Sequence, residues 1–271
     1  MNLVLLTGDG PEHRYVANRL DREVGLAAIV VDEGRPVTPH ERRAQLRRRY
    51  SWPQLAGRGA HRLALRAIGD DADRRRGFEH VLGSDCRDWA TERPVRRVQG
   101  INDDWARSVI EEAQPDRLLV YGTGIVGPQT LALSSLLPLN MHTGWSPEYR
   151  GSDCAFWPLF DRRLEFLGAT VHEVTADVDG GRIYGRVRAR LEPDDRLHYL
   201  FARCIRAGTD LYVDVLSRLD EGDDLEVVAQ DLTRGREFRA VDLTLRAELQ
   251  VRLAIRRGLV RDFCRLRTTA S

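Results

Sequence analysis

The first 31 residues have the pattern of a strand, a glycine turn, a helix and a second strand, and this order constrains the fold more than any other feature. Residues 2–7 and 27–31 are apolar runs that predict buried strands. Between them, residues 8–10 read Gly-Asp-Gly and predict a turn, and Pro11 suits the first turn of a helix through Leu20. Strand, helix and strand in this order form a βαβ unit, which implies a parallel sheet.

The rest of the chain extends this pattern. Further strands are predicted at 96–98, 117–121, 136–139, 166–174, 182–191 and 227–230, with extended chain at 236–240, and helices at 102–113, 151–160, about 195–219 and 241–258. We therefore predict an α/β fold: a Rossmann-like, mostly parallel sheet with helices on both faces. Residues 1–190 would form this domain. Residues 191–271 would form a smaller, mainly helical extension that mediates a homodimer, shapes a pocket or only covers the core.

All 42 basic residues of this 271-residue chain are arginine, and no lysine is present. The absence of lysine excludes a Walker-type phosphate loop, and it also excludes a Schiff base or pyridoxal phosphate on an enzyme lysine. Codon bias is the simplest cause. The formal net charge of +1 gives no overall attraction to nucleic acid or to anionic membranes, so neither is an expected partner.

The four cysteines lie far apart, at positions 86, 154, 204 and 264. No CxxC pair exists, so we expect no metal site and no redox dithiol. The first apolar run is too short for a signal peptide, and no run approaches the roughly 20 residues of a membrane span. These features predict a cytoplasmic protein with reduced cysteines.

The segment 35–80 is rich in arginine, with runs at 42–43, 47–49 and 74–76. It is predicted to be helical with irregular stretches. Acidic and apolar residues interrupt the runs, so a solvated helix face is favoured over a nucleic-acid patch. His13 and Arg14, early in the first helix, can reach a phosphate at the helix N-terminus, or they can lie in a solvated first turn.

The stretch 140–181 carries the chemistry. Asn140 and His142 are two residues apart, which places both side chains on one face of a strand. Asp179 precedes two glycines. A side-chain amide and an imidazole N–H can stabilise an oxyanion, and a carboxylate can accept the proton of an attacking amine. Each residue taken alone also has a structural interpretation, because a histidine beside a strand is often only hydrogen-bonded and Asp-Gly-Gly is often only a turn.

The combined order of these motifs resembles the folate-dependent formyltransferases. The motifs are Asn-x-His at 140–142, Pro-x-Tyr-Arg-Gly at 147–151, Gly-x-Thr-Val-His at 168–172 and Asp-Gly-Gly at 179–181. The resemblance covers roughly residues 1–190. Where many members have His-Pro-Ser, this chain has His142-Thr143-Gly144-Trp145, which is closer to the sugar N-formyltransferases. The chain is also shorter than a usual methionyl-tRNA formyltransferase, which puts tRNA in doubt as the acceptor.

The resemblance implies roles for individual residues. Asn140, His142 and Asp179 match the family's catalytic residues. The residues that follow the core strand, by resemblance, contact the pterin of 10-formyltetrahydrofolate with their backbone; they are Tyr121, Gly122, Thr123, Gly124, Ile125 and Val126. A simple strand-to-helix turn is the alternative. Weaker expectations place further side chains at the acceptor, namely His13, Arg14, Trp145, Tyr149, Arg150 and His172.

The predicted function is N-formyl transfer from 10-formyltetrahydrofolate to a primary amine of a small molecule, with an amino sugar attached to a nucleotide as the first choice. Two alternatives stay open. With water in place of the amine, the same residues would make a formyltetrahydrofolate hydrolase. A non-catalytic Rossmann-like module that binds a nucleotide is the other alternative, although a pure binder has no need of Asp179.

Overall fold

The computed structural model describes residues 1–35 and 38–268. Residues 36 and 37, in the arginine-rich segment, and residues 269–271, at the end of the extension, lie outside the described residues. The strands are β1 (Leu3–Thr7), β2 (Ala28–Asp32), β3 (Val95–Val98), β4 (Arg117–Tyr121), β5 (Leu139–His142), β6 (Tyr149–Gly151), β7 (Gly168–Glu173), β8 (Ile183–Arg188) and β9 (Arg236–Phe238). The helices are α1 (Pro11–Val24), α2 (Pro39–Arg49), α3 (Trp52–Ala67), α4 (Asp70–Leu82), α5 (Asp104–Glu112), α6 (Pro128–Leu131), α7 (Trp157–Phe160), α8 (Leu197–Asp220), α9 (Leu245–Arg256) and α10 (Leu259–Thr268).

Seven strands form one sheet in the order β3-β2-β1-β4-β5-β7-β8. The first five run parallel, and β7 and β8 pair antiparallel. A second, two-stranded sheet joins β6 to β9. The prediction of a mostly parallel Rossmann-like sheet is therefore confirmed, with an antiparallel edge that the sequence pattern did not specify.

Strand β1 explains how both faces are covered. It lies inside the sheet between β2 and β4, and all five of its residues are buried. Leu3 and Leu5 join the core that also contains residues of α1, α4 and α8. Val4 and Leu6 point to the opposite face, where they pack with residues of α5. Because side chains alternate along a strand, one run of apolar residues fills both layers, as expected for a parallel sheet enclosed by helices.

Three predicted elements differ clearly from the structure. The strand predicted at 136–139 is in fact β5, so Asn140 and His142 lie within it and Pro138 precedes it. The helix predicted at 151–160 is confined to α7, because Gly151 and Asp153 have positive φ angles of 90° and 58°, which a helix does not permit. Around 227–230 the structure has only an isolated bridge between Ile183 and Val228.

Helix α8 belongs to the packing of the main sheet. Its buried residues Ile205 and Tyr212 lie in the same core as β1, and the Tyr212 hydroxyl donates to the carbonyl of Leu139 at 2.7 Å. Helix α9 is tied to the arginine-rich segment, since Glu248 contacts His61 of α3 at 2.5 Å. The domain boundary at residue 190 stays a prediction. Helix α8, which follows that boundary, packs against the sheet formed by the residues before it.

The described part of the arginine-rich segment forms α2, α3 and α4, so its predicted helical character is confirmed. Thr38 caps α2, accepting from the backbone N–H of Glu41 at 3.2 Å. No residue of α3 is fully buried. Every helix in the described ranges is too short or too polar to span a bilayer.

Candidate active site

Strand β5 presents two polar side chains to one side of the sheet. Leu139 and Met141 are buried in the main core, so Asn140 and His142 face the other way. Antiparallel pairing places Asn140 directly opposite His172 of β7. The Asn140 amide nitrogen lies 3.1 Å from Nε2 of His172. Strand alternation together with the β5–β7 register therefore brings three of the predicted site residues together.

Asp179 reaches this group from the loop between β7 and β8. Its Oδ1 lies 3.4 Å from the Asn140 amide nitrogen and 3.4 Å from Nε2 of His172. Its Oδ2 lies 3.3 Å from Nδ1 of His142 and accepts from the backbone N–H of Gly151 at 2.8 Å. The carboxylate thus contacts every polar side chain of the cluster.

The loop conformation that carries Asp179 is held from several sides. Asp179 has a φ of 49°, which is unusual for a non-glycine residue. The Gln230 side-chain amide donates to the carbonyls of Asp179 at 2.9 Å and of Gly181 at 2.5 Å. Arg150 donates to the carbonyl of Val178 at 3.3 Å. These contacts compensate the cost of the backbone strain, which is on the order of 1–3 kcal/mol.

The two histidine rings are oriented by backbone carbonyls. Nδ1 of His172 donates to the carbonyl of Glu173 at 2.7 Å, which leaves Nε2 toward Asn140 and Asp179. Nε2 of His142 donates to the carbonyl of Tyr149 at 3.1 Å, which leaves Nδ1 toward Asp179. His142 therefore lies between two acceptors, a carbonyl and a carboxylate. A second proton on this ring would be hydrogen-bonded as soon as it arrived.

Burial and charge act against each other in this cluster. Burial lowers the pKa of His142 from its ordinary value, and the charge of Asp179 opposes that shift. Burial by itself raises the pKa of Asp179, but the two histidine rings and the Gly151 N–H outweigh it and hold that pKa below its ordinary range. Asp179 is therefore a carboxylate at neutral pH, and His142 is a neutral ring prepared to take a proton.

A cavity of about 1130 Å³ opens over these side chains. Asn140, His142, His172 and Asp179 line it together with residues 120–126, 151–154, 174–178 and 237–241 and with Glu12, His13, Tyr50, Gln54, Met141, Thr143 and Phe201. All six residues of the predicted cofactor loop, 121–126, are part of this wall. Its volume lies at or above the upper end of the range usual for small-molecule sites, so it has room for two ligands side by side.

The loop 121–126 has the geometry of a backbone surface. Tyr121 is buried, and Gly122 has a φ of 64°. A Cβ on Gly122 would collide with the ring of His13, so only glycine fits there. Gly124 faces open space, and the Ile125 side chain is 83% exposed. An apolar side chain standing free beside open backbone is suited to a flat heterocyclic ring.

Not all predicted acceptor residues reach the cavity. Of the six, His13 and His172 line it. Arg14 is held by Asp9, with Nη2 to Oδ1 at 2.8 Å. Trp145 packs between Phe166 and Arg188, whose guanidinium lies 4.7 Å from the ring centroid. These two side chains are thus committed to contacts with the protein outside the cavity wall.

Tyr149 and Arg150 lie behind the wall. Tyr149 is buried, with its hydroxyl donating to Asp161 at 3.0 Å and its carbonyl accepting from His142. Arg150 supports the Asp179 loop. The structure gives both residues contacts that position His142 and Asp179, which sequence spacing does not distinguish from contacts with a substrate.

Several contacts at the site could not be predicted from the sequence. Gln230 lies 51 positions from Asp179 and Gly151 lies 28 positions from it, yet both hydrogen-bond to that residue. Glu12 and Asp153 line the cavity. The turn glycines before Pro11 pointed to the region of Glu12, but no periodicity or motif marked its side chain. Within the described ranges, no set of three His, Cys, Asp or Glu side chains is arranged to hold a metal ion.

Sequence comparison relates the chain to methionyl-tRNA formyltransferases. It is 27% identical over 180 residues to the enzyme of Koribacter versatilis, which covers 64% of this chain and 57% of the relative. It is 26% identical over 126 residues to that of Chlorobium chlorochromatii, covering 46% of this chain and 40% of the relative. The chain thus spans less than two thirds of the length of these relatives. A scan against protein-family models gives no match.

Solved structures share the fold. The N-formyltransferase of Helicobacter canadensis, in complex with folinic acid and dTDP-3-aminofucose, has a TM-score of 0.55 and 14% identity, covering 90% of this chain and 73% of that one. A sugar N-formyltransferase from a Shewanella species has a TM-score of 0.54 and 14% identity, covering 93% of this chain and 87% of that one. The chain is therefore similar in sequence to methionyl-tRNA formyltransferases, and it shares the fold of these solved N-formyltransferases.

Proposed function

We propose that the protein is a folate-dependent N-formyltransferase, which transfers the formyl group of 10-formyltetrahydrofolate to a primary amine of a small molecule. The observation that carries the proposal is the convergence of Asn140, His142 and Asp179 at the floor of a cavity bordered by residues 121–126. A donor amide, a neutral imidazole and a carboxylate in mutual contact are the groups that acyl transfer to an amine requires.

The reaction forms a C–N bond to the acceptor and breaks the C–N bond to the folate nitrogen. Asn140 would donate a hydrogen bond to the formyl oxygen as negative charge develops there, exchanging its weak 3.4 Å contact with Asp179 for a shorter one. A preorganised donor of this kind is worth about 2.7–4 kcal/mol of barrier. The sequence-based role of His142 as a second donor needs a different ring position, because both of its nitrogens already face protein acceptors.

The amine proton would pass to Asp179, directly or through water, and settle on the His142–Asp179 pair. The ring of His142 lies between the Tyr149 carbonyl and the Asp179 carboxylate, so the protonated ring is hydrogen-bonded at both nitrogens. The departing folate nitrogen then takes up one proton, which restores the pair. Asp179 would thus act mainly through its charge, consistent with a pKa held below the ordinary range.

An amino sugar is the acceptor class that the comparisons support best, since the Helicobacter canadensis protein is described with dTDP-3-aminofucose. Nucleotide-linked amino sugars, the first choice from the sequence, are therefore the first acceptors to assay. The homodimer and the cytoplasmic location stay predictions.

The test is an assay of the purified protein with 10-formyltetrahydrofolate and a panel of amino sugars. The expected result is an N-formylated sugar and an equimolar amount of tetrahydrofolate. Asp179→Asn and His142→Ala should each lower the rate by a factor of about 100 or more. Folate release without any amine would indicate a hydrolase. Unchanged rates in both variants would contradict the assigned roles.

A further inference from the structure

The charge of the cavity wall is strongly unequal. Among its described lining residues, five are acidic, namely Glu12, Asp153, Asp177, Asp179 and Glu237, and one is arginine, Arg239. The whole chain has 42 arginines and 41 acidic residues. Lining residues with the average composition of the chain would include about equal numbers of acidic and basic side chains. The part of the wall around these acids therefore favours a cationic group over an anionic one.

Glu12, in the first turn of α1, is the one of these five acids with a buried side-chain oxygen that has no hydrogen-bond partner in the described part of the chain. It is 9% exposed, and its Oε1 pairs with Arg74. Its Oε2 is buried and has no hydrogen-bond partner among the described residues. An unpaired buried carboxylate oxygen is costly, on the order of 1–3 kcal/mol. A donor supplied by a ligand in the cavity would remove that cost.

The start of α1 is also a poor site for a phosphate. Helix N-termini bind anions through free backbone N–H groups, but Pro11 at the first position has none. Asp9 precedes it, and the nearby guanidinium groups of Arg14 and Arg97 are both paired with Asp9. The positive charges that would neutralise a phosphate at this turn are already engaged.

We propose that Glu12 binds a second cationic nitrogen of the acceptor, so that the acceptor is a diamine or diamino sugar without a phosphate at this end. The proposal rests on the proposed function: it keeps formyl transfer to a primary amine and replaces the nucleotide-linked sugar with an acceptor that has a second cationic nitrogen. One amine of the acceptor would lie at Asn140 and Asp179. The other, as an ammonium group, would donate to Oε2 of Glu12, while Asp153 and Glu237 would add attraction at longer range.

His13 would lie beside the acceptor, between the amine at Asn140 and the ammonium group at Glu12. Its Nδ1 accepts from the Gly8 backbone N–H at 3.2 Å, and the Thr7 hydroxyl lies 2.9 Å from the same atom. Burial lowers the pKa of His13. A neutral ring at this position does not compete with a cationic ligand for Glu12.

The test compares three acceptors that differ in charge. They are the methyl glycoside of a 2,6-diaminohexose, the methyl glycoside of glucosamine, and glucosamine linked to uridine diphosphate. Formyl transfer is measured at pH 7 with saturating 10-formyltetrahydrofolate. We expect kcat/KM for the diamino glycoside to exceed that for the other two by about tenfold or more, as expected for one buried charge-assisted hydrogen bond.

The variants are Glu12→Gln and the matched control Glu23→Gln, which changes an exposed acid on the same helix outside the cavity. Glu12→Gln should remove the advantage of the diamino glycoside, and Glu23→Gln should keep it. Binding of 10-formyltetrahydrofolate and the thermal midpoint report whether Glu12→Gln is folded. If Glu12→Gln does not fold, Glu12→Asp, which shortens the side chain by one methylene, takes its place as the test variant.

The failure of this inference is distinguishable from failure of the proposed function. A preference for the nucleotide-linked sugar that Glu12→Gln leaves unchanged would overturn the Glu12 site alone. If no amine is formylated, the proposed function fails, and calorimetric titration of the diamino glycoside alone still decides the site. About tenfold weaker binding to Glu12→Gln than to Glu23→Gln would support it, and equal binding would overturn it.

Discussion

Nδ1 of His142 lies 3.3 Å from Oδ2 of Asp179, while the opposite ring nitrogen of His142 donates to the Tyr149 carbonyl. This pairing makes the imidazole a place where a proton can be held but a poor donor to a substrate in the present arrangement. In the proposed reaction, this arrangement would leave the oxyanion contact mainly to Asn140 and the proton to the His142–Asp179 pair.

Replacing Asn140 by alanine should lower kcat by a factor of about 100 to 1,000 while leaving folate binding within a few-fold, because the amide is needed mainly in the transition state. Steady-state kinetics and equilibrium titration with folinic acid separate the two effects. Equal losses in kcat and in folate affinity would instead assign Asn140 to cofactor binding.

The rate should depend on pH through His142. Because burial lowers its pKa, the neutral ring persists below the ordinary value of 6.5. We expect a flat rate from pH 8 to about 6.5 and a fall only at lower pH, as the ring gains a proton before the amine arrives. A pH–rate profile with a saturating acceptor measures this. A midpoint above 6.5 would contradict the neutral resting state of His142.

Burial also lowers the pKa of His13, and this lowered pKa should make the stability of the protein depend on pH. The unfolded chain binds more protons than the folded one below pH 6.5, so this histidine costs stability as pH falls and none above that value. Urea unfolding at pH 7.5 and 5.5 should show a smaller pH dependence in His13→Gln than in the unmodified protein. An unchanged dependence would mean that His13 is solvated in the folded state.

Gly144→Ala offers a way to disturb the site without removing a polar group. A Cβ at this position would collide with Nε2 of His142 and with Cys154, so the ring would have to leave its position between the Tyr149 carbonyl and Asp179. We expect the rate to fall by tenfold or more. Gly57→Ala, within α3 and with open space around it, is the control. It should leave the rate unchanged and stabilise the protein by about 0.5–1 kcal/mol.

Gln230→Ala should act through the position of Asp179, since Gln230 contacts only the backbone of that loop in the described structure. We expect kcat to fall about tenfold across the pH range in which the rate is constant, and the thermal midpoint to be lower by a few degrees. Gln45→Ala, on exposed α2, is the matched control. An unchanged kcat in Gln230→Ala would show that the loop is held without this amide.

Features that depend on interactions between neighbouring residues were predicted correctly, and contacts between distant segments were not. The strand of residues 117–121 and the start of α1 at Pro11 match their predicted positions, because hydrophobic runs and proline act locally. The spacing of Asn140 and His142 correctly placed both on one face. The expected acceptor contacts of Trp145 and Arg150 were not found in the cavity wall, since both side chains pack against distant parts of the chain.

The amino-acid sequence by itself determined the βαβ unit at the start of the chain, the exclusion of reactions that need a lysine, and the polar residues of the candidate site. These features depend on residue type and short-range periodicity. Only the tertiary structure decided which nitrogen of His142 faces Asp179, that Gln230 holds the loop, and that one oxygen of Glu12 pairs with Arg74 while the other is buried without a partner among the described residues. Those features arise where segments tens of residues apart meet, and burial there sets both the hydrogen-bond partners and the charge of each group.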